Sequence, residues 1–79
     1  MSFLPISLLL QGRPCLVVGG GAVAARKVRQ LRKAGGAVRV VAPELVPELS
    51  ALLAAGELRW TQGSFSANHL DHCVLVIAA

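Results

Sequence analysis

Apolar residues follow two rhythms along the chain. Unbroken runs at Cys15-Leu16-Val17-Val18 and Cys73-Val74-Leu75-Val76-Ile77-Ala78, with Val38-Arg39-Val40-Val41-Ala42 between them, read as strands buried on both faces. Pro14 favours an extended residue before it and a clean start to the first. After that strand, Ala24, Val28 and Leu31 recur at helical spacing. This predicts a helix over residues 23–34 with Arg26, Arg29 and Lys33 facing away. Gly35-Gly36 ends it, and Arg32 and Lys33 suit its negative end. A second helical face carries Leu45, Leu49, Leu52 and Leu53. Pro47 is tolerated only in a first turn, so this helix starts between Glu44 and Pro47 and stops at Gly56. Residues 57–61 read as an edge strand, with Trp60 as its packing residue. Residues 3–10 read as extended, 62–68 as loop, and 67–70 as one helical turn.

The resulting order, β-α-β-α-β-(short α)-β, predicts an α/β fold of the Rossmann-like kind. It is the first half of a doubly wound parallel sheet with strand order 3-2-1-4. The ligand crevice then opens where strands 1 and 4 separate. The strand ends meeting there carry Gly19, Gly20, Gly21, Ala22 and Val23 after strand 1. They carry Ala42, Pro43 and Glu44 after strand 2, and Ala78 and Ala79 after strand 4. Cys15 and Cys73 fall at the opposite ends of their strands. The fourth strand is apolar enough to be central, yet no helix follows it. Residues 1–79 are therefore expected to be a single, partial domain of a longer protein.

Gly19, Gly21 and Ala24 fit the dinucleotide fingerprint G-x-G-x-x-[G/A] between a strand and a helix. Gly19 permits the sharp turn, Gly21 lets a pyrophosphate approach the backbone, and Ala24 lets the helix lie close to the sheet. The helix start offers unpaired N–H groups and partial positive charge. Glu44 stands about 20 residues on, where an acid holds the adenosine ribose of NAD. Because it follows Pro43, it equally suits charge stabilisation of the second helix. No arginine stands there for a 2′-phosphate, which favours NAD over NADP.

Composition narrows the class. A chain of 79 residues buries only about 60% of its unfolded surface, yet 54% of the residues are hydrophobic and 15% charged, too apolar for disorder. Uncharged apolar runs reach about ten residues against the ~20 needed to span a bilayer, and the N-terminus lacks the basic region and cleavage site of a signal peptide. No membrane association is expected, and the cytoplasm is the expected location. The net charge is +4, and Arg26, Lys27, Arg29, Arg32 and Lys33 crowd one helix. A solvated helix face and attraction of an anionic ligand both account for them. With no aromatic platform or base-reading motif, nucleic acid is not expected. Cys15 and Cys73 lack metal-ligand spacing and read as reduced thiols. His69 and His72 could touch one metal, but Asp71 and Cys73 would lie on differing faces. Turn histidines are the reading, Asp71 ends the turn, and no metal site is expected.

Leu4-Pro5-Ile6, the run Cys-Leu-Val-Val-Gly-Gly-Gly-Ala-Val-Ala-Ala-Arg-Lys (15–27), Val41-Ala42-Pro43-Glu44 and the last strand resemble the siroheme synthase N-terminal domain. That domain is the bifunctional precorrin-2 dehydrogenase and sirohydrochlorin ferrochelatase. The resemblance covers essentially the whole chain. Its most specific part is the triple glycine followed by A-V-A-x-R-K, with Gly63-x-Phe65 and Leu70-Asp71 before the last strand also matching. It implies oxidation of precorrin-2 with NAD⁺, an Fe²⁺-inserting activity in many members, a fused methyltransferase in some, and a homodimer at full length. By position it places cofactor contacts on Ala22-Val23 and Pro43-Glu44. The family's proposed catalytic aspartate lies after Ala79, so no catalytic residue is expected in this chain, which should be inactive alone. The alternative is a non-catalytic nucleotide-sensing module that regulates a partner.

Overall fold

The computed structural model describes residues 10–66, 73 and 75–79. The readings for residues 3–9 and 67–70, and those for His69, Asp71, His72 and Val74, lie outside the described residues. The elements run β1 (Pro14–Val18), α1 (Ala22–Lys33), β2 (Ala37–Ala42), α2 (Pro47–Ala54), β3 (Arg59–Gln62) and β4 (Leu75–Ala78). All strand pairs are parallel, in the order β3-β2-β1-β4. This is the predicted topology.

Register follows from burial. Cys15, Leu16, Val17 and Val18 oppose Val38, Arg39, Val40 and Val41 on one side, and Leu75, Val76, Ile77 and Ala78 on the other. Side chains alternate across the sheet. One face carries Cys15, Val17, Val38, Val40 and Ala42 into a core with Ala24, Ala25, Val28 and Leu31 of α1 and Leu49 of α2. Leu16 and Val41 point to the other face and are buried as well. A two-sided apolar run is what a central parallel strand requires.

Boundaries moved where local chemistry competed with the pattern. Pro47 opens α2 as its first helical residue, at the late end of the predicted range, which leaves Leu45 outside the helix, though still packed on the core. The β3 strand begins at Arg59, two residues later than predicted, yet Leu58 just before it is buried. Leu10 is helical rather than extended. Its carbonyl accepts the Arg13 N–H at 2.8 Å, and its side chain is buried in the core. The strand predicted from Cys73 starts at Leu75. Val76 and Ala78, alternating along it, are exposed. No helix among the described residues is long and apolar enough to cross a membrane.

Candidate nucleotide-binding site

The carboxyl ends of the parallel strands converge on the glycine turn, and each strand end is tied to its neighbour by one more backbone bond. The Gly19 N–H donates to the Val41 carbonyl (2.9 Å), the Ala79 N–H to Val18 (2.9 Å) and the Gly63 N–H to Ala42 (3.1 Å). Gly19 has φ +127°, a conformation side chains rarely adopt. An added Cβ would also stand 2.5 Å from the Ala79 carbonyl oxygen. It therefore makes the turn and lets the end of β4 pass.

Gly20 is a close-approach glycine. Its carbonyl accepts the Val46 N–H at 2.9 Å, and a Cβ on it would overlap the Glu44 carbonyl oxygen and stand 3.0 Å from the Ala42 Cβ. The loop after β2 thus lies directly on the loop after β1. The dinucleotide fingerprint assigns Gly20 no mechanical role. Its signal was that glycine occupies a position the fingerprint leaves open.

Gly21 is the opposite case. It stands at the N-cap of α1 in extended conformation, and none of the described residues lies within 4 Å of where its Cβ would be. The first α1 bond runs from the Ala25 N–H to the Gly21 carbonyl (2.9 Å), so the N–H groups ahead of it have no partner within the helix. Among the described residues no side chain caps this end, and no acid stands in its first turn. Ala24 is buried against the sheet, while Ala22 and Val23 are exposed. Gly20, Gly21, Pro43, Glu44, Leu45 and Val46 together line an open groove of about 300 Å³. The open backbone and the uncapped helix end fit a nucleotide pyrophosphate.

Gly20, Gly21, Pro43 and Glu44 therefore share one groove, whereas Gly19, Ala22 and Val23, adjoining in sequence, do not line it. Ala42 is buried, and its carbonyl takes two donors, Gly63 N–H and the Trp60 indole N–H (2.9 Å). It supports the groove rather than lining it. Ala78 is exposed at the end of β4 and does not line the groove. Leu45 and Val46 line it without having been read as site residues; the apolar pattern places Leu45 on a helix face, and nothing in it singles out Val46. Glu44 is exposed, with no ion pair among the described residues. The acid in the first turn of α2 is Glu48.

Two of the five clustered cations are engaged within the chain: Arg29 pairs with Glu48, and Arg32 with Glu57 at 2.8 Å. Arg26 and Lys33 are exposed, as a solvated helix face requires. Cys15 and Cys73 are thiols that line a separate cavity of about 430 Å³ at the amino ends of the strands. Burial, and secondarily the neighbouring Cys73, pushes the Cys15 thiol above its ordinary value. No cluster of three or more metal-ligating side chains occurs among the described residues.

A family model described as NAD(P)-binding matches residues 6–79. Siroheme synthases of Photorhabdus laumondii and Methylobacillus flagellatus are each 54% identical over the whole chain, which spans 17% of either relative. The siroheme synthase of Zymomonas mobilis is 51% identical, again with 17% of its length spanned. Among solved structures, SirC, a precorrin-2 dehydrogenase, superposes with a TM-score of 0.83 at 34% identity. That match covers 89% of this chain and 35% of SirC.

Proposed function

The chain belongs to the NAD(P)-binding family, and from that premise we propose that it is the NAD⁺-holding part of an enzyme that oxidises precorrin-2 to sirohydrochlorin in siroheme synthesis. The observation that carries the reading is the open space at Gly21 in front of the uncapped α1. Similarity to siroheme synthases and to SirC supports the choice of reaction.

In this reading the α1 N–H groups and the backbone at Gly20, Gly21, Ala22 and Val23 hold the pyrophosphate. Pro43 and Glu44 meet the adenosine ribose. A carboxylate at Glu44 accepts from ribose hydroxyls and repels a 2′-phosphate, which selects NAD over NADP. The bound nucleotide would supply a hydride acceptor. This chain's own residues orient and retain it, and none is assigned to the chemical step. For the whole protein the proposal extends to Fe²⁺ as a second substrate, a homodimer and a cytoplasmic setting.

The test is NAD⁺ titration of the chain with thermal unfolding as readout. At a hundredfold excess over Kd, stabilisation of about 2.7 kcal/mol is expected. Gly21→Leu, which fills the pyrophosphate's place, should abolish it. A folded chain that saturating NAD⁺ fails to stabilise would overturn the reading.

A further inference from the structure

The loop that carries Glu44 is held from below by the edge strand. The Ala42 carbonyl, last in β2, accepts both the Gly63 N–H at 3.1 Å and the Trp60 indole N–H at 2.9 Å. The next carbonyl, Pro43, accepts the Gln62 side-chain amide at 3.4 Å. Two donors on one carbonyl use both of its lone pairs and fix the plane of the Ala42–Pro43 peptide. Proline then locks its own φ, so the direction in which the chain leaves β2 toward Glu44 is set before Glu44 is reached. From the other side, the Gly20 carbonyl takes the Val46 N–H at 2.9 Å. Trp60 is half-buried, with its ring packed on the core. It needs no indole N–H for that packing; the N–H is spent on Ala42.

We propose that Trp60 is a positioning residue for nucleotide binding, acting through the Ala42 carbonyl to hold Pro43 and Glu44 at the ribose end of the groove, with Gln62 as its lesser partner. This rests on the reading of the groove as the NAD⁺ site and adds to it a determinant on a strand that lines no part of that groove.

The experiment compares the parent chain with Trp60→Phe, which keeps an aromatic ring and removes the donor, and with the milder Gln62→Ala. Binding of NAD⁺ and of inorganic pyrophosphate is measured by calorimetry, and folding by circular dichroism. Trp60→Phe should weaken NAD⁺ about five-fold, the size of one neutral hydrogen bond. Gln62→Ala should weaken it about two-fold. Pyrophosphate, which meets only the glycine turn and α1, should bind each variant as it binds the parent. Adding Glu44→Ala to Trp60→Phe should cost less affinity than the two separate losses combined, because both act on one contact. If NAD⁺ binds both single variants as tightly as the parent, the inference is overturned while the NAD⁺ site stands. If NAD⁺ and pyrophosphate weaken together, Trp60 merely supports the fold, and the inference is again overturned. A folded parent that binds no NAD⁺ overturns the site reading and this inference with it.

Discussion

An added methyl at Gly20 would run into the Glu44 carbonyl oxygen, a backbone atom that no rotamer change can move aside. Gly20→Ala must therefore push apart the two loops that form the groove, breaking the Val46–Gly20 bond. A stability loss of about 1–3 kcal/mol is expected, the usual cost of overpacking, read as a lower urea midpoint. An unchanged midpoint would mean the loops separate freely. The three glycines of the triplet differ in what they do. Gly19 makes a turn with close passage, Gly20 lets the loops touch, and Gly21 leaves open space. The fingerprint alone made the first and third legible. The second depends on a loop that folds back from beyond β2, which no local pattern in residues 15–24 encodes. The hydrogen bond from Trp60 to Ala42 was hidden for the same reason, since an aromatic residue on an edge strand is explained by packing alone.

The two helices are tied to the sheet unequally. Along α1, Ala24, Ala25, Val28 and Leu31 are all buried, whereas α2 has only Leu49 fully so, with Leu52 and Leu53 partly buried. Leu49→Ala should then detach α2 as a unit, at a cost of about 2–5 kcal/mol. In a chain this small that is a large share of total stability. Thermal unfolding followed by circular dichroism tests it: a fall in Tm of only a degree or two would show that Leu52 and Leu53 suffice. The Arg29–Glu48 and Arg32–Glu57 pairs link α1 to α2 and to the loop before β3. As exposed pairs they contribute up to about 1 kcal/mol each, so packing, not charge, sets where the helices sit. The apolar spacing revealed both helices and all four strands, β1 and β2 almost to the residue, with the starts of β3 and β4 each placed two residues too early. The start of α2 fell at Pro47, inside the predicted range, because the fixed geometry of Pro47 outweighed the leucine period at Leu45.

For the molecule as a whole, alternation of strand and helix predicted parallel strands, because parallel neighbours need crossovers, and the usual doubly wound arrangement supplied the order β3-β2-β1-β4 that the sheet has. That order also separates the chain's chemistry into two ends, with the groove at the carboxyl ends of the strands and the thiols at the amino ends. The thiol end has a pH signature. Burial raises the Cys15 pKa above its ordinary 9.0, so the native state holds its proton more tightly than the unfolded state does. Stability is therefore unaffected below about pH 9 and falls as pH rises from there toward the folded value. Cys15→Val, close in volume and unable to ionise, should flatten that alkaline limb in urea titrations between about pH 8 and 10.5. An identical limb in the variant would assign it to other groups.

The β1 strand lies in the middle of the sheet, but its two neighbours reach it at very different times. The β2 strand follows after one helix. The β4 strand is made only after β2, α2 and β3. Contacts distant in sequence are slow to close, so one edge of β1 stays open until β4 has been made. It is a row of unpaired backbone groups able to pair with another nascent chain. The same delay reaches Gly19, whose flank is the Ala79 carbonyl. The turn that would cradle a phosphate acquires its second wall only when the last of these residues has been added.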